Sequence, residues 1–204
     1  MEIHPPSGSI HSFKEFLIHL SMVVLGILIA LGIEQVREHF HEEHLVQDAR
    51  ANFRAEIEEQ RESLKEHLTI WDKDRGLLTS ILLADGDRSR PAPDLHTLAL
   101  QWQFLETGGW DAAAATQAFS YMDYSEVQTY SRIYAAQKIF NDFEEKAHGE
   151  IIVLSPLLNA KSPTVDERKS RDRDIQRLLG YSHSIDQIGH ELLAQFDKVQ
   201  GTNQ

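Results

Sequence analysis

The sequence contains no cysteine, which removes disulfide frameworks, thiolate nucleophiles and Cys-bearing zinc sites from consideration. Proline and glycine are scarce, 6 and 11 in 204 residues, a composition that argues against disorder and suits long helices. Basic residues are outnumbered, 20 against 32, for a formal net charge of -12. Phosphate backbones are therefore repelled on average, and nucleic acid is not an expected partner. No segment alternates polar and apolar side chains long enough to make a sheet, and no repeat of fixed period is evident. Glycine-rich phosphate loops, the GxSxG elbow and the HExxH zinc pattern are all missing. Without a nucleophile, a base and an orienting group in register, no catalytic residue and no cofactor is assigned.

What the sequence does have is one long apolar run. Phe16 to Ile33 reads FLIHLSMVVLGILIALGI without a formal charge, which as a helix spans about 27 Å and just crosses a bilayer core. His19 and Ser21 interrupt it near one end, where His19 can reach toward the interface. A signal peptide cleaved near Ala30 to Gly32 and a buried core helix compete with an uncleaved anchor. The leader before the run is long and holds Pro5 and Pro6, with Lys14 offset by Glu2 and Glu15, which is unlike a signal peptide. Val23 to Leu31 is apolar all round, which is unlike a soluble core helix. The anchor is the expectation, with residues 1–15 as a short tail, 16–33 as the transmembrane helix and 34–204 as a helical bundle domain. Gly26 and Ala30 stand at the small-xxx-small spacing that lets membrane helices pack closely. Lys14 on one side is balanced by Arg37 on the other, so the side of the membrane stays open.

Beyond Ile33, Val36, Phe40, Leu45, Ala49, Phe53, Ile57, Leu64, Leu68 and Trp71 recur at helical steps. The expected helix leaves the membrane and runs to about Leu83, ending at Asp85-Gly86-Asp87, with Gly76 as a kink position. A second helix is expected from Asp94 to Glu106, with Leu95, Leu98, Trp102 and Leu105 on one side and Thr107-Gly108-Gly109 as its stop. Asp111 is expected to cap a short Ala-rich helix reaching Phe119. An aromatic-rich helix then starts near Asp123 or Ser125, where Asp123 with Glu126, or Ser125 with Gln128, has capping-box spacing, and runs to Leu154 near Pro156. A last helix opens at Ser162 or Thr164, with Thr164 and Glu167 as a further box, and carries Ile175, Leu178, Ile185, Ile188, Leu192, Phe196 and Val199 as its core stripe. The fold class is all-α, an N-terminal transmembrane helix continuing into a long helix of an antiparallel bundle.

Three constellations invite a functional reading. His39, His41 and His44 among Glu38, Glu42 and Glu43 are the metal candidates; His41 and His44 neighbour each other on a helix, whereas His39 points elsewhere. Lys161 to Arg177 is rich in cations, but Asp166, Glu167, Asp172 and Asp174 interleave with them and favour a solvated face of local ion pairs. The aromatics Trp102, Trp110, Phe119, Tyr121, Tyr124, Tyr130, Tyr134, Phe140 and Phe143 have the helical spacing of core residues.

The stretch GILIALGIEQVREHFHEEHLVQDARANFRAEIEEQRESL, Gly26 to Leu64, resembles bacterial proteins of no assigned activity in which a Gly-Ile-Leu-Ile-Ala-Leu membrane helix runs into a charged helix. Trp110 to Phe143 looks like the second half of the same family. The resemblance covers about two thirds of the chain, and this sequence has Glu34-Gln35 where many relatives carry Asn-Trp. It implies topology and no catalytic residues. The expectation is a single-pass protein of a bacterial inner membrane whose partners are the membrane and protein, another membrane protein or a second copy of itself, in a scaffolding or accessory role. The alternative expectation is a ligand- or metal-sensing module that signals through a separate transducer.

Overall fold

The computed structural model describes residues 13–84, 97–160 and 163–201. Helix α1, Phe13–Ala84, is one uninterrupted helix of 72 residues, about 108 Å long at about 1.5 Å per residue. It passes Gly76 without a break, where a Cβ would meet nothing within 4 Å. Its end at Ala84 lies within a residue of the expected one; the Asp85-Gly86-Asp87 turn, Leu95, Lys161, Ser162 and most of the N-terminal tail lie outside the described residues.

Three further helices follow: α2, Gly108–Ala115, α3, Tyr124–Leu158, and α4, Val165–Gly201, with a 3-10 turn at Ala118–Ser120 between α2 and α3. Among the described residues there is no strand, so the all-α expectation holds. The Ile151 to Leu154 stretch is helical, and α3 continues past Pro156 to Leu158.

The direction of each helix follows from its cross-links. Arg50 on α1 binds Glu126 at the start of α3, and His67 further along α1 meets Glu144 further along α3, so these two helices run the same way. Helix α4 returns antiparallel to both. Arg61 binds Asp197, Arg75 binds Asp186, and Arg177 binds Glu150. The packing of α1 on α4 is close: a Cβ on Gly189 would sit 2.8 Å from Leu68 Cδ2.

The core is Phe53, Ile57, Leu64, Trp71 and Leu78 of α1, Ile133, Phe140 and Leu154 of α3, and Ile175, Leu178, Ile185, Leu192 and Phe196 of α4, none more than 1% exposed. Each such side chain contributes about 1.5–3 kcal/mol by leaving water. The α4 stripe matches expectation, with Ile188 and Val199 only partly buried. The α1 stripe does not extend as far as expected. Val36 and Phe40 are 57% and 59% exposed, and the first buried residue is Val46. The bundle thus begins about 20 Å beyond Ile33 along the helix, at about 1.5 Å per residue.

Local signals at the helix starts had mixed outcomes for a physical reason. At α4 the capping box forms: Thr164 N and Oγ1 donate to Glu167 Oε2 at 2.7 and 2.8 Å, and Glu167 N donates to Thr164 Oγ1 at 3.2 Å. At α3 the N-cap is Asp123, but its side chain makes no capping bond: the Glu126 N–H goes to the Asp123 carbonyl at 3.0 Å, and the Glu126 carboxylate, the other half of a box, is taken bidentately by Arg50 Nε and Nη2 at 2.8 and 2.6 Å. Helix α2 is capped at Thr107 instead of Asp111. The glycines expected to stop a preceding helix open this one, and Glu56 on α1 accepts the Gly109 N–H at 2.6 Å, satisfying a donor that a helix start leaves without partner.

The larger correction concerns residues 98–107. They form no helix, although Leu98, Trp102 and Leu105 have helical spacing. They run as an extended strap between α1 and α3, and their amides bond to side chains from those helices.

Candidate functional site

Two parts of the chain hold the candidate residues, beginning with the N-terminal part of α1. From Phe13 to Leu45 no side chain is buried, and the 18-residue window apolar enough to cross a membrane has none of its residues buried. A Cβ on Gly26 would meet nothing within 4 Å, and Gly26 and Ala30 are both exposed. At about 100° per residue, Gly26, Ala30, Ile33 and Phe40 fall within about 80° of one another around the helix. One stripe therefore runs from the apolar span into charged sequence. The histidine cluster sits on this stretch. His39, His41 and His44 are all exposed, His39 Nε2 lies 3.5 Å from Glu43 Oε1 one turn on, and His41 shares its surface with Glu34, Arg37 and Glu38. Among the described residues no group of three or more His, Cys, Asp or Glu is gathered as a metal would need.

The second part is a column of buried polar residues. Gln60, His67 and Asp74 on α1, and Gln137 and Glu144 on α3, are between 0% and 7% exposed. Burying such groups is costly unless each finds a partner, and most of these partners belong to the strap. Asp74 Oδ1 and Oδ2 accept Ala99 N and Leu100 N at 3.1 and 2.7 Å. Glu144 Oε2 accepts Gln103 N at 3.3 Å. Asn141 grips Leu105 twice, accepting its N–H and donating to its carbonyl at 2.8 Å each. Gln60 Nε2 donates to Glu106 O at 2.8 Å, and Gln137 Nε2 donates to Gln60 Oε1 at 2.6 Å. The strap is thus read through its backbone, much as a sheet edge would read it. Asp74 also holds Leu100 at φ 44°, a conformation bulky residues avoid.

His67 is the node of this column. Its Nε2 accepts the Trp71 indole N–H at 2.9 Å and lies 2.6 Å from Glu144 Oε1. Trp71 can only donate. Nε2 has a single in-plane position, a proton or a lone pair, so Trp71 and Glu144 compete for the same ring atom. Lower in the bundle, Phe53, Tyr130 and Tyr134 cluster, with ring centroids 4.3 and 5.8 Å from Phe53. Burial first, then Glu56 beside it, pushes the Tyr134 phenol well above its ordinary range. The Tyr134 hydroxyl and Glu56 Oε1 make no hydrogen bond of good geometry.

The aromatics divide. Tyr130, Tyr134 and Phe140 are core, and Trp110, Phe119 and Phe143 pack against it. Trp102, Tyr121 and Tyr124 are exposed at 48%, 44% and 77%. Trp102 lies on the outer side of the strap, its ring 4.7 Å from His148. The cations of the α4 start form local pairs as expected, Arg171 with Asp172 and Arg177 with Asp174.

Sequence reasoning missed the polar column because Gln60, His67 and Asp74 read as ordinary polar positions between apolar ones. A signal was present. Val46, Phe53, Gln60, His67, Asp74 and Ile81 are spaced by seven, as are Tyr130, Gln137 and Glu144, so the polar residues continue core columns defined by apolar ones. This seven-residue spacing is a property of the two helix faces and not an internal repeat of the chain. No protein-family model, curated protein or solved structure matches the chain.

Proposed function

We propose that the chain is a single-pass protein of a bacterial inner membrane, anchored by Phe16 to Ile33, that works by binding protein, in the first place a second copy of itself. One observation carries this reading: the N-terminal stretch of α1 contributes nothing to the bundle, yet Val36 and Phe40 beyond Ile33 are apolar and more than half exposed. A helix with no tertiary contact in water is marginal, and apolar side chains on it gain from a partner. The stripe of Gly26, Ala30, Ile33 and Phe40 offers that partner one continuous face, close-packing within the bilayer and apolar just outside it. The bundle, held away from the membrane on a helical stalk, is the part presented to other proteins.

The absence of native cysteine gives a clean test. Single cysteines introduced at 26, 30, 33, 35, 40 and 42 in the full chain are oxidised in native membranes and run on a non-reducing gel. Disulfide dimers at 26, 33 and 40, with little at 35 and 42 on the opposite face, support the reading. Uniform crosslinking, or none at any position, contradicts it.

A further inference from the structure

We infer that a cleft between α1, α3 and α4 binds a soluble organic anion carrying a phosphate or carboxylate next to a short apolar group. The cleft, about 490 Å³, is lined by Arg54, Arg132 and Lys198 together with Tyr130, Ile133 and Val199. Three cations converge here in a chain whose formal charge is -12. The one carboxylate on the lining, Glu126, is already held by two bonds from Arg50. Among the described residues neither Arg54 nor Arg132 has a carboxylate within ion-pair distance. Arginine's planar fork suits a phosphate or carboxylate, which it can engage through two parallel bonds.

The floor has a different chemistry. Tyr130 and Ile133, 4% and 1% exposed, close the base, and the half-buried Val199 offers the apolar surface that a ligand can cover. Burial first, then the Glu126 charge, raises the Tyr130 phenol above its ordinary value; like any tyrosine it is a protonated donor at neutral pH. A headgroup that ion-pairs at the rim while a few methylenes cover the floor would use both chemistries. Polar groups fix orientation, and apolar area adds affinity.

Two sources could supply such a molecule, a lipid headgroup or a free solute. The height of the site favours the solute. Arg54 lies about 32 Å beyond Ile33 along α1, at about 1.5 Å per residue, well past the headgroup layer of a bilayer that holds the apolar span. This choice of source rests on the membrane reading above; the cleft itself does not.

The test titrates the full chain, in nanodiscs of zwitterionic lipid, with hexyl phosphate below its micellar concentration, by calorimetry. Inorganic phosphate alone and nanodiscs containing phosphatidylglycerol are the other two arms. Hexyl phosphate binding saturably, at least tenfold tighter than inorganic phosphate and at least tenfold weaker in Arg54→Ala/Arg132→Ala, supports the inference. Both arginines are exposed, so the variant keeps its helical circular dichroism. No saturable heat with hexyl phosphate at millimolar concentration, or equal binding by the variant, overturns the inference. Protection of the cleft arginines by phosphatidylglycerol but not by hexyl phosphate, read by NMR of their side chains, overturns the choice of a soluble ligand. If the crosslinking above fails while hexyl phosphate binds, the site stands and the self-association does not.

Discussion

Asn141→Ala isolates what holds the strap in place. Asn141 makes two bonds of 2.8 Å to the backbone of Leu105, a residue 3% exposed. Removing the amide leaves one buried donor and one buried acceptor without partners, each costing about 1–3 kcal/mol. Because Asn141 is itself only half-buried, water recovers part of this, and a loss of about 2–4 kcal/mol is expected. For a protein of this size that lowers the melting temperature by about 5–15 °C. The assay is urea unfolding of the full chain in detergent, followed by far-UV circular dichroism, with hydrogen exchange at the Leu105 amide as a local probe. Asn141→Asp supplies a control with opposite pH behaviour. At neutral pH it keeps the acceptor for the Leu105 N–H but turns a carboxylate oxygen toward the Leu105 carbonyl. A protonated carboxyl can donate there, so the folded state favours the acid and raises its titration point. The variant is then most stable below about pH 4 and loses that stability as pH rises through the folded-state value. An Asn141→Ala protein within about 0.5 kcal/mol of wild type, with unchanged Leu105 exchange, would mean that Asn141 does not hold the strap.

Three further outcomes follow from the same packing. His67→Leu or Glu144→Leu alone, each breaking the 2.6 Å buried contact, costs about 3–5 kcal/mol in urea unfolding, whereas the double variant loses markedly less than the sum. Additive losses would mean that the two side chains are not coupled. Gly189→Val drives a branched side chain onto Leu68, where even a Cβ would come within 2.8 Å of Cδ2; it destabilises by about 1–3 kcal/mol, and Leu68→Ala added to it recovers part of the loss, unlike Leu68→Ala added to wild type. At the start of α4 the Thr164 backbone N–H, then its hydroxyl, lower the Glu167 carboxyl below its ordinary value, so its contribution to the cap is complete above the ordinary carboxylate range and lost as pH falls through the lowered one. Glu167→Gln should flatten that part of the pH–stability profile, and an unchanged profile would remove Glu167 from it.

The long helices were legible because their information is local. Ile175, Leu178, Ile185, Leu192 and Phe196 mark one face of α4 by spacing alone, and Thr164 with Glu167 caps it within a single turn. The strap was not legible because the groups that settle its conformation lie far away in sequence. Leu98, Trp102 and Leu105 have helical spacing, but Asp74, Asn141 and Glu144 compete for the backbone N–H groups that a helix would use. The same limit hid the α3 cap, where Arg50 draws Glu126 away. Val36 and Phe40 continue the α1 periodicity faithfully; periodicity shows which face is apolar and cannot say what covers it. For the candidate site, Gly26, Ala30 and the histidines were readable from the chain, while His67, Asp74 and Glu144 became visible as a column only once two parallel helices set them side by side.

On the proposed topology, Phe16 to Ile33 resides in a bilayer as part of the mature chain, and the helix emerges from it still unpartnered by the bundle. Membrane-impermeant maleimide labelling of single cysteines at 18, 24, 28, 34, 38 and 42, in intact vesicles and again after detergent, measures this directly. Positions 18, 24 and 28 should stay unlabelled until detergent is added, while 34, 38 and 42 label from one face of the vesicle. Labelling at 24 and 28 in intact vesicles, or a mature protein that begins after Ile33 and so lacks these positions, would contradict that topology.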